Sequence, residues 1–237
     1  MVLPNFPYIA LKTVNGIDFK MEVGSLMEQM VVDGVFFEKE VLEEMLDNIK
    51  TGDVIFDVGS STGTHTIPCG IKTGESGVVY SFEPDTECAA VLRYNLSLNH
   101  LKNVRVLETA LWDKDSSVVI HTGGRKGPAP QVTERHQQAR AEIEHLPQHH
   151  EIPSRSIESL VRSGDIKPPD VLKIDVEGAG LYVLKGLGNV KPKDIFIEVH
   201  PPKGESRDEI FGLLSSNGYK LISEASRVEE IHLHFKL

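Results

Sequence analysis

The 237-residue chain has no run of 18 or more apolar residues, so no membrane span is expected. Cysteine is nearly absent, with only Cys69 and Cys88. Two thiols in or beside helical patterns make no disulfide framework, and neither has the C-x-x-C or histidine spacing of a zinc site. Both read as small buried hydrophobes, and a reducing cytoplasm fits. Positive charge is scarce as well: 25 Lys and Arg stand against 35 Asp and Glu, a formal net charge of −10. Proteins that hold long nucleic acids draw affinity from neutralising phosphates, so this balance disfavours an RNA or DNA substrate. The N-terminal stretch carries Pro4 and Pro7 and lacks the apolar core of a secretion signal. No internal repeat is apparent.

What is present is an ordinary globular composition, 40% hydrophobic and 25% charged, in a chain long enough to bury a sizeable core. From about residue 38, short apolar runs alternate with helical patterns. Residues 38–49 place Val41, Leu42, Met45, Leu46 and Ile49 at helical spacing. Strands are predicted over 53–58, 77–82, 103–108, 170–175 and 194–199. Helices are predicted over 86–100, near 181–187 and over 207–218, the last stopping at Gly218. This alternation implies a mostly parallel sheet covered by helices on both faces. The tail runs "YKLIS" and "EEIHLHFKL" are joined too closely for a helical crossover and should pair as an antiparallel hairpin. The whole reads as one α/β domain, with residues 1–50 as an N-terminal segment and helix. Residues 121–155, rich in Gly, Pro, His and Gln, break the rhythm and read as a lid or flexible insertion, in which 133–146 could form a short polar helix. Arg125, Lys126, Arg135, Arg140, His136, His145, His149 and His150 make this stretch locally basic. It could cap a pocket for an acidic or sugar substrate, or simply be a solvated loop.

The stretch "VIFDVGSSTG" (54–63) carries the chemistry. In a parallel sheet, ligands sit beyond the carboxyl ends of the strands. Asp57 lies at that end, Gly59 and Gly63 permit a sharp turn and close approach of a ligand, and a helix from about Thr64 directs free N–H groups there. The spacing is D-x-G-x-x-x-G rather than G-x-G-x-x-G. Glu83 ends the next strand 26 residues after Asp57 and can accept hydrogen bonds from ribose hydroxyls. Together they point to an adenosine-containing cofactor. A pyrophosphate needs a bare helix terminus, whereas an aspartate and the polar Ser60, Ser61, Thr62 and Thr64 suit a ligand with an ammonium group, such as the methionine part of S-adenosylmethionine. A nicotinamide oxidoreductase is disfavoured by the G-x-x-x-G loop and the lack of a Tyr-x-x-x-Lys dyad.

The segments "VIFDVGSSTGTHT", "VYSFEPD", "IESL", "VLKIDVEGAGLYVLKGL" and "IFIEVH", in this order over roughly residues 35–200, resemble the FkbM family of S-adenosylmethionine-dependent methyltransferases. "KIDVEG" is the most family-specific piece. The resemblance implies a Rossmann-like three-layer αβα sandwich with a seven-stranded sheet. It also implies methyl transfer, commonly to a hydroxyl on a sugar, lipid or polyketide-type small molecule. It assigns Asp57, Gly59, Ser60, Thr62 and Gly63 to the cofactor loop, Glu83 to the ribose and Pro84 to the adenine. The turn Thr109–Asp113, with Ala110, would close the adenine pocket. Two positions depart from the family pattern. Gly180 stands where an acid is frequent, which either weakens a helix start or leaves room for substrate. Ser60-Ser61 replace a frequent Ala-Asn.

Methyl transfer from a sulfonium is an in-line displacement, so the protein must align the acceptor and exclude water. A hydroxyl acceptor also benefits from a base. Strand alternation puts Lys173 and Asp175 on one face, and Glu198 and His200 on one face of the next strand. All four could approach one pocket. His200 is the natural base. Asp175 could position the acceptor or contact the cofactor, and Glu177 could reach a hydroxyl or stabilise a helix N-terminus. Asp175, Glu177, Glu198 and His200 could also hold magnesium, but such clusters are more often hydrogen-bonding networks, and no metal is expected. The expected partner is a small-molecule acceptor. A binding module that has lost its chemistry, and a methyltransferase acting on RNA or protein, are the alternatives. Nothing in the sequence speaks to oligomeric state.

Overall fold

The computed structural model describes residues 5–32, 39–123, 131–134, 148–227 and 230–237. The chain opens with a hairpin, β1 (Tyr8–Val14) and β2 (Ile17–Val23), followed by α1 (Leu26–Val32) and α2 (Lys39–Asn48). The alternating part then begins: β3 (Val54–Val58), α3 (Thr66–Thr73), β4 (Val78–Phe82), α4 (Thr86–Leu98) and β5 (Val104–Leu107). Four strands interrupt it, β6 (Ala110–Leu111), β7 (Ser116–Thr122), β8 (Gln131–Glu134) and β9 (Gln148–Arg155), before α5 (Ile157–Arg162). It resumes with β10 (Val171–Ile174), α6 (Gly180–Lys185), β11 (Asp194–Val199), α7 (Arg207–Ser216), β12 (Lys220–Ser226) and β13 (Ile231–Lys236).

The main sheet has seven strands in the order β12-β13-β11-β10-β3-β4-β5. The five from β11 to β5 are parallel, and β13 runs antiparallel to both β11 and β12. The mostly parallel sheet and its closing hairpin are as expected. Each strand splits its residues between two cores. Phe56, Leu172 and Ile195 pack with Ile157, Val183 and Ile210 of α5, α6 and α7. Ile55, Val171 and Phe196 face the other way, onto Leu42 and Met45 of α2, Ile67 of α3 and Leu92 of α4. Each such fully buried aliphatic chain is worth roughly 1.5–3 kcal/mol relative to exposure, which holds the three layers together. The strand order reverses between β3 and β10, so a crevice forms at their carboxyl ends.

Two regions differ from the sequence reading. The N-terminal segment is a hairpin before it is a helix, turned by Asn15-Gly16 with φ of +49° and +73°. It buries Val14, Phe19 and Met21 in the core of α2 and α3. Two amides on the outer edge of β2 are satisfied by side chains of α4 and of the residue that ends it. Glu22 N–H donates to Asn95 Oδ1 and Lys20 N–H to Asn99 Oδ1, both at 2.8 Å. Asn95 Nδ2 also donates to Thr62 O at 2.9 Å, so one buried amide joins the hairpin to the glycine loop.

The stretch expected as a lid or flexible insertion has strands at both ends. β7 pairs antiparallel with β9 and β8, and β6 joins β9 in parallel, making a separate four-stranded sheet. Val118 and Ile120 of β7 bury against Trp112, Ile152 and Ala179. Arg125, Lys126, Arg135, His136, Arg140 and His145 lie outside the described residues, as does the polar helix expected over 133–146 apart from its first two positions, which are in β8. Among the described residues, no helix is long and apolar enough to cross a membrane.

Candidate functional site

After β3 the backbone turns through Gly59 (φ +81°), Ser61 (+47°) and Gly63 (+101°). The amides of Gly59 and Ser60 donate to Phe82 O at 3.0 and 3.2 Å, which ties the turn to the end of β4. A Cβ on Gly59 would fall on the Asp175 carbonyl oxygen, far inside van der Waals contact, and one on Gly63 would lie 2.5 Å from Leu92 Cδ1. The space that these glycines leave is therefore filled by the end of β10 and by α4. The sequence reading gave them to a sharp turn and the approach of a ligand; the structure shows the turn and brings neighbouring chain segments close at both positions.

Asp57 is fully buried below this loop. Its Oδ2 accepts the Thr66 hydroxyl at 2.5 Å, and its Oδ1 lies 3.3 Å from Lys173 Nζ. Ser81, Asp57 and Lys173 are register partners across β4, β3 and β10, so the three form one polar row. Lys173 Nζ also donates to Asp175 Oδ2 at 3.0 Å. Asp57 thus has protein partners on both oxygens, whereas Asp175 keeps 29% of its side chain exposed at the crevice. Burial pushes the Asp175 carboxyl up, but the Lys173 ammonium, with His200 and His65, outweighs it and holds the group below its ordinary range.

Glu83 is buried at the end of β4. Its Oε2 accepts Ser61 N–H and its Oε1 accepts Asp85 N–H, both at 2.8 Å. Burial drives this carboxyl up to about 7, against the pull of the two amides. Each oxygen retains a second lone pair. Ser60 Oγ is buried with no hydrogen-bond partner among the described residues. Spare acceptors and an orphaned hydroxyl fit a polar, hydroxylated ligand such as the adenosyl group. Asp85 caps α4 through Glu87 N–H at 2.9 Å and Cys88 N–H at 3.0 Å, and also accepts the Thr122 hydroxyl, which fixes the small sheet to this loop. Partly buried Pro84 stands between Glu83 and Asp85. Ala110 is buried in β6, opposite Ser154.

At the end of β11, His200 is ringed by acids. Its Nε2 lies 3.1 Å from Glu198 Oε1 and 3.6 Å from Glu177 Oε2. Its Nδ1 is 3.4 Å from Glu205 Oε2, in ion-pair range but without hydrogen-bond geometry. Burial alone would lower the imidazole, but Glu198 and Glu205 overcome it and raise it to about 10. His200 is therefore an imidazolium near neutral pH and has no lone pair to accept a proton, so the expected role of base does not suit this arrangement. Glu177 pairs with Lys203. Glu205 also accepts Gly180 N–H at 2.6 Å, and a Cβ at Gly180 would come within 3.0 Å of the same carboxylate. The missing side chain at 180 thus makes room for Glu205, which supports the start of α6, rather than for substrate.

A cleft of about 430 Å³, its open mouth included, adjoins these groups. Its polar wall comprises His65, Lys173, Asp175, Glu198, His232 and His234, with Glu44 of α2 closing one side. The sequence reading missed His65, His232 and His234. The signals were there: His232 and His234 alternate in β13, with His232 the register partner of Glu198, and His65 directly precedes α3. Burial lowers both His65 and His232 to about 4, with the charges of Lys173 and Arg227 respectively adding to it. His234 stacks on Phe196 with ring centroids 4.0 Å apart, and its nitrogens lie 2.8 Å from Glu44 and 3.0 Å from Asp194. Asp175, Glu198 and His200 offer polar atoms within 4.8 Å of one another, as do Glu198, Glu230 and His232. In the first group, Asp175 is already paired with Lys173, and Glu198 with His200.

Residues 57–221 match the family described as the methyltransferase FkbM domain. The chain belongs to the FkbM methyltransferase family. This FkbM methyltransferase takes its methyl group from S-adenosylmethionine. It is 28% identical over 231 residues to hexuronic acid methyltransferase AglP of Haloferax volcanii, an alignment covering 93% of this chain and 89% of that one. Two solved structures share the fold. A SAM-dependent methyltransferase from Aquifex aeolicus superposes with a TM-score of 0.52 at 15% identity, over 88% of this chain and 93% of that one. Precorrin-6y C5,15-methyltransferase from Geobacter metallireducens also gives 0.52, at 13% identity, over 86% and 90%.

Proposed function

We propose that this FkbM methyltransferase transfers the methyl group to a hydroxyl oxygen of a small sugar, with sugar acids as the leading class. The observation that carries this reading is the partly open cleft beside Asp175, whose polar wall lies at the carboxyl ends of β10 and β11. The near full-length similarity to a hexuronic acid methyltransferase supplies the substrate class. The cofactor, when bound, supplies an electrophilic methyl group. Glu83 accepts the ribose hydroxyls, Pro84 and the turn at Ala110 border the adenine, the 59–63 loop contacts the methionine portion, and Asp175 meets its ammonium. The remaining task of the chain is to hold the acceptor oxygen in line and to exclude water.

The test is incubation with methyl-labelled cofactor and matched panels of hexuronic acids and neutral hexoses. Label is expected in the sugar as an ether that survives mild alkali. Alkali-labile label would move the acceptor oxygen to the carboxylate. Label in RNA or protein, or no transfer with the cofactor bound, would contradict the reading.

Glu83 gives this account a pH signature. In the ligand-free protein its carboxyl sits at about 7, above the 4.5 of an ordinary glutamate. Its stability contribution is therefore fully present below 4.5 and lost as the pH rises through about 7. Ribose binding draws on the ionised form and runs the other way, so cofactor affinity should rise as the pH rises through about 7. Glu83→Ala should weaken cofactor binding by about 100-fold, because hydrogen bonds to a charged group are worth about 1.5–3 kcal/mol each. Calorimetric titrations from pH 5.5 to 8.5, on the order of one unit either side of neutrality and beyond, check both; a flat profile with full binding by the variant contradicts them.

A further inference from the structure

His65 is a wall group of the cleft with no part in the account so far. It immediately precedes α3, is only 9% exposed, and borders the same space as Lys173, Asp175 and Glu198. Its Nε2 is buried with no hydrogen-bond partner among the described residues. Asp57, Asp175, Glu198 and His234 already have close partners of their own, and His232 Nδ1 faces Glu198 Oε2 at 3.9 Å. Asp57 holds Thr66 and Lys173, Asp175 holds Lys173, Glu198 holds His200, and His234 bridges Glu44 and Asp194. A buried polar atom left unpaired carries a desolvation cost, which a bound hydroxyl would relieve.

We propose that His65 binds the acceptor hydroxyl and takes its proton during methyl transfer. The proposal rests on the reading of the acceptor as a hydroxyl, because a carboxylate would have no proton to give up. In the step, the acceptor oxygen forms its bond to the methyl carbon as the carbon–sulfur bond breaks. The bonding pair passes to sulfur, and the hydroxyl proton passes to the imidazole. One positive charge disappears at sulfur as another appears on His65, so the net charge of the pocket does not change.

Burial makes His65 a weak base in the free protein, and the loss of positive charge at sulfur during transfer is what favours its protonation. The ionisable groups lining the cleft are Glu44 from α2, Lys173 from β10, Asp175 just after it, Glu198 from β11, and His232 and His234 from β13, with Asp57 buried beside Lys173 and His200 beside Glu198. Burial and the Lys173 ammonium keep His65 neutral down to about pH 4, so its lone pair is available across the physiological range. Asp57 and Asp175 act in the opposite sense and stabilise the imidazolium once it forms. His200 cannot share the role, since its acidic ring already holds a proton there.

The test compares the wild type with His65→Gln and His65→Ala, as full-length chains, on hexuronic acids including glucuronic and galacturonic acid. Both variants should lose about 100-fold or more in kcat, the range of a general base. Their calorimetric affinity for the cofactor should stay within about threefold of the wild type, because a base acts on the transition state and not on cofactor binding. A second readout needs no turnover. The His65 ring proton, assigned in the wild type by through-bond correlation to its own backbone amide, should titrate near pH 4 in the free protein. It should also shift when a hexuronic acid is added with S-adenosylhomocysteine present. If a variant proves unstable, this wild-type signal decides, and no shift in the presence of bound sugar rejects the contact. Unchanged kcat in His65→Gln, or cofactor affinity lost in step with kcat, overturns the assignment and leaves hydroxyl methylation standing. A wild type that binds cofactor but neither binds nor methylates any hexuronic acid or neutral hexose overturns that reading and this assignment together.

Discussion

Gly59→Ala is expected to remove a large share of the stability of the protein and to weaken cofactor binding with it. Two costs combine at this position. A φ of +81° strains any residue with a Cβ by roughly 1–2 kcal/mol. The added methyl would also fall on the Asp175 carbonyl oxygen, with the Asp175 carbonyl carbon 2.9 Å away and Val176 Cγ1 at 3.2 Å. These are mainly backbone atoms at the end of β10, fixed by the Asp175 N–H bond to Val58 O at 2.9 Å, so no side-chain rotation can relieve the overlap. Overpacking of this kind costs about 1–3 kcal/mol or more. A total near 4 kcal/mol is a large share of the roughly 5–15 kcal/mol of a typical domain. Gly212→Ala is the control: nothing lies within 4 Å of its added methyl in α7, and the change should stabilise by about 0.5–1 kcal/mol. Denaturant melts measure both. Near-equal effects at the two positions would mean that the β3 turn does not pack against β10 as described.

Lys173→Met should cost about 3–5 kcal/mol, because it leaves the fully buried Asp57 carboxylate without its counter-charge. The cost belongs to the stranded charge rather than to the ion pair. Pairing the change with Asp57→Asn should therefore recover most of the loss, since Thr66 can still donate to the amide oxygen. The double-mutant cycle should show strong coupling. Simple additivity would place the partner of Lys173 elsewhere, with Asp175, whose side chain is within 3.0 Å of it, as the next candidate.

Much of this architecture is legible in the sequence, and the reasons are local. The runs at 54–58, 78–82, 171–174 and 194–199 are apolar on both faces because helices cover both, and they stand out against amphipathic neighbours such as α2. The placement of Lys173 with Asp175, and of Glu198 with His200, follows from two-residue alternation alone. The N-terminal hairpin was also readable, since Asn15-Gly16 between two seven-residue strands is a strong turn signal. The small sheet was not, because the pairing of β7 with β9 spans a polar segment with no periodicity of its own. Contacts between distant segments were hidden as well. Glu205 filling the space beside Gly180, and the Asp175 carbonyl behind Gly59, depend on loops being brought together by the sheet. Likewise the protonation of His200 depends not only on Glu198 of its own strand but on Glu205, brought in from a later turn, so a residue that suits a base by type is a cation by environment.

The central claim is that the crevice between the Gly59–Gly63 turn and Glu83 holds the adenosyl group. A crystal structure of the protein with S-adenosylhomocysteine tests it most directly. Both ribose hydroxyls are predicted within hydrogen-bond distance of the Glu83 carboxylate, with the thioether turned toward the cleft bordered by Asp175 and His65. A nucleoside bound elsewhere, with Glu83 contacting only Ser61 and Asp85, would contradict the account.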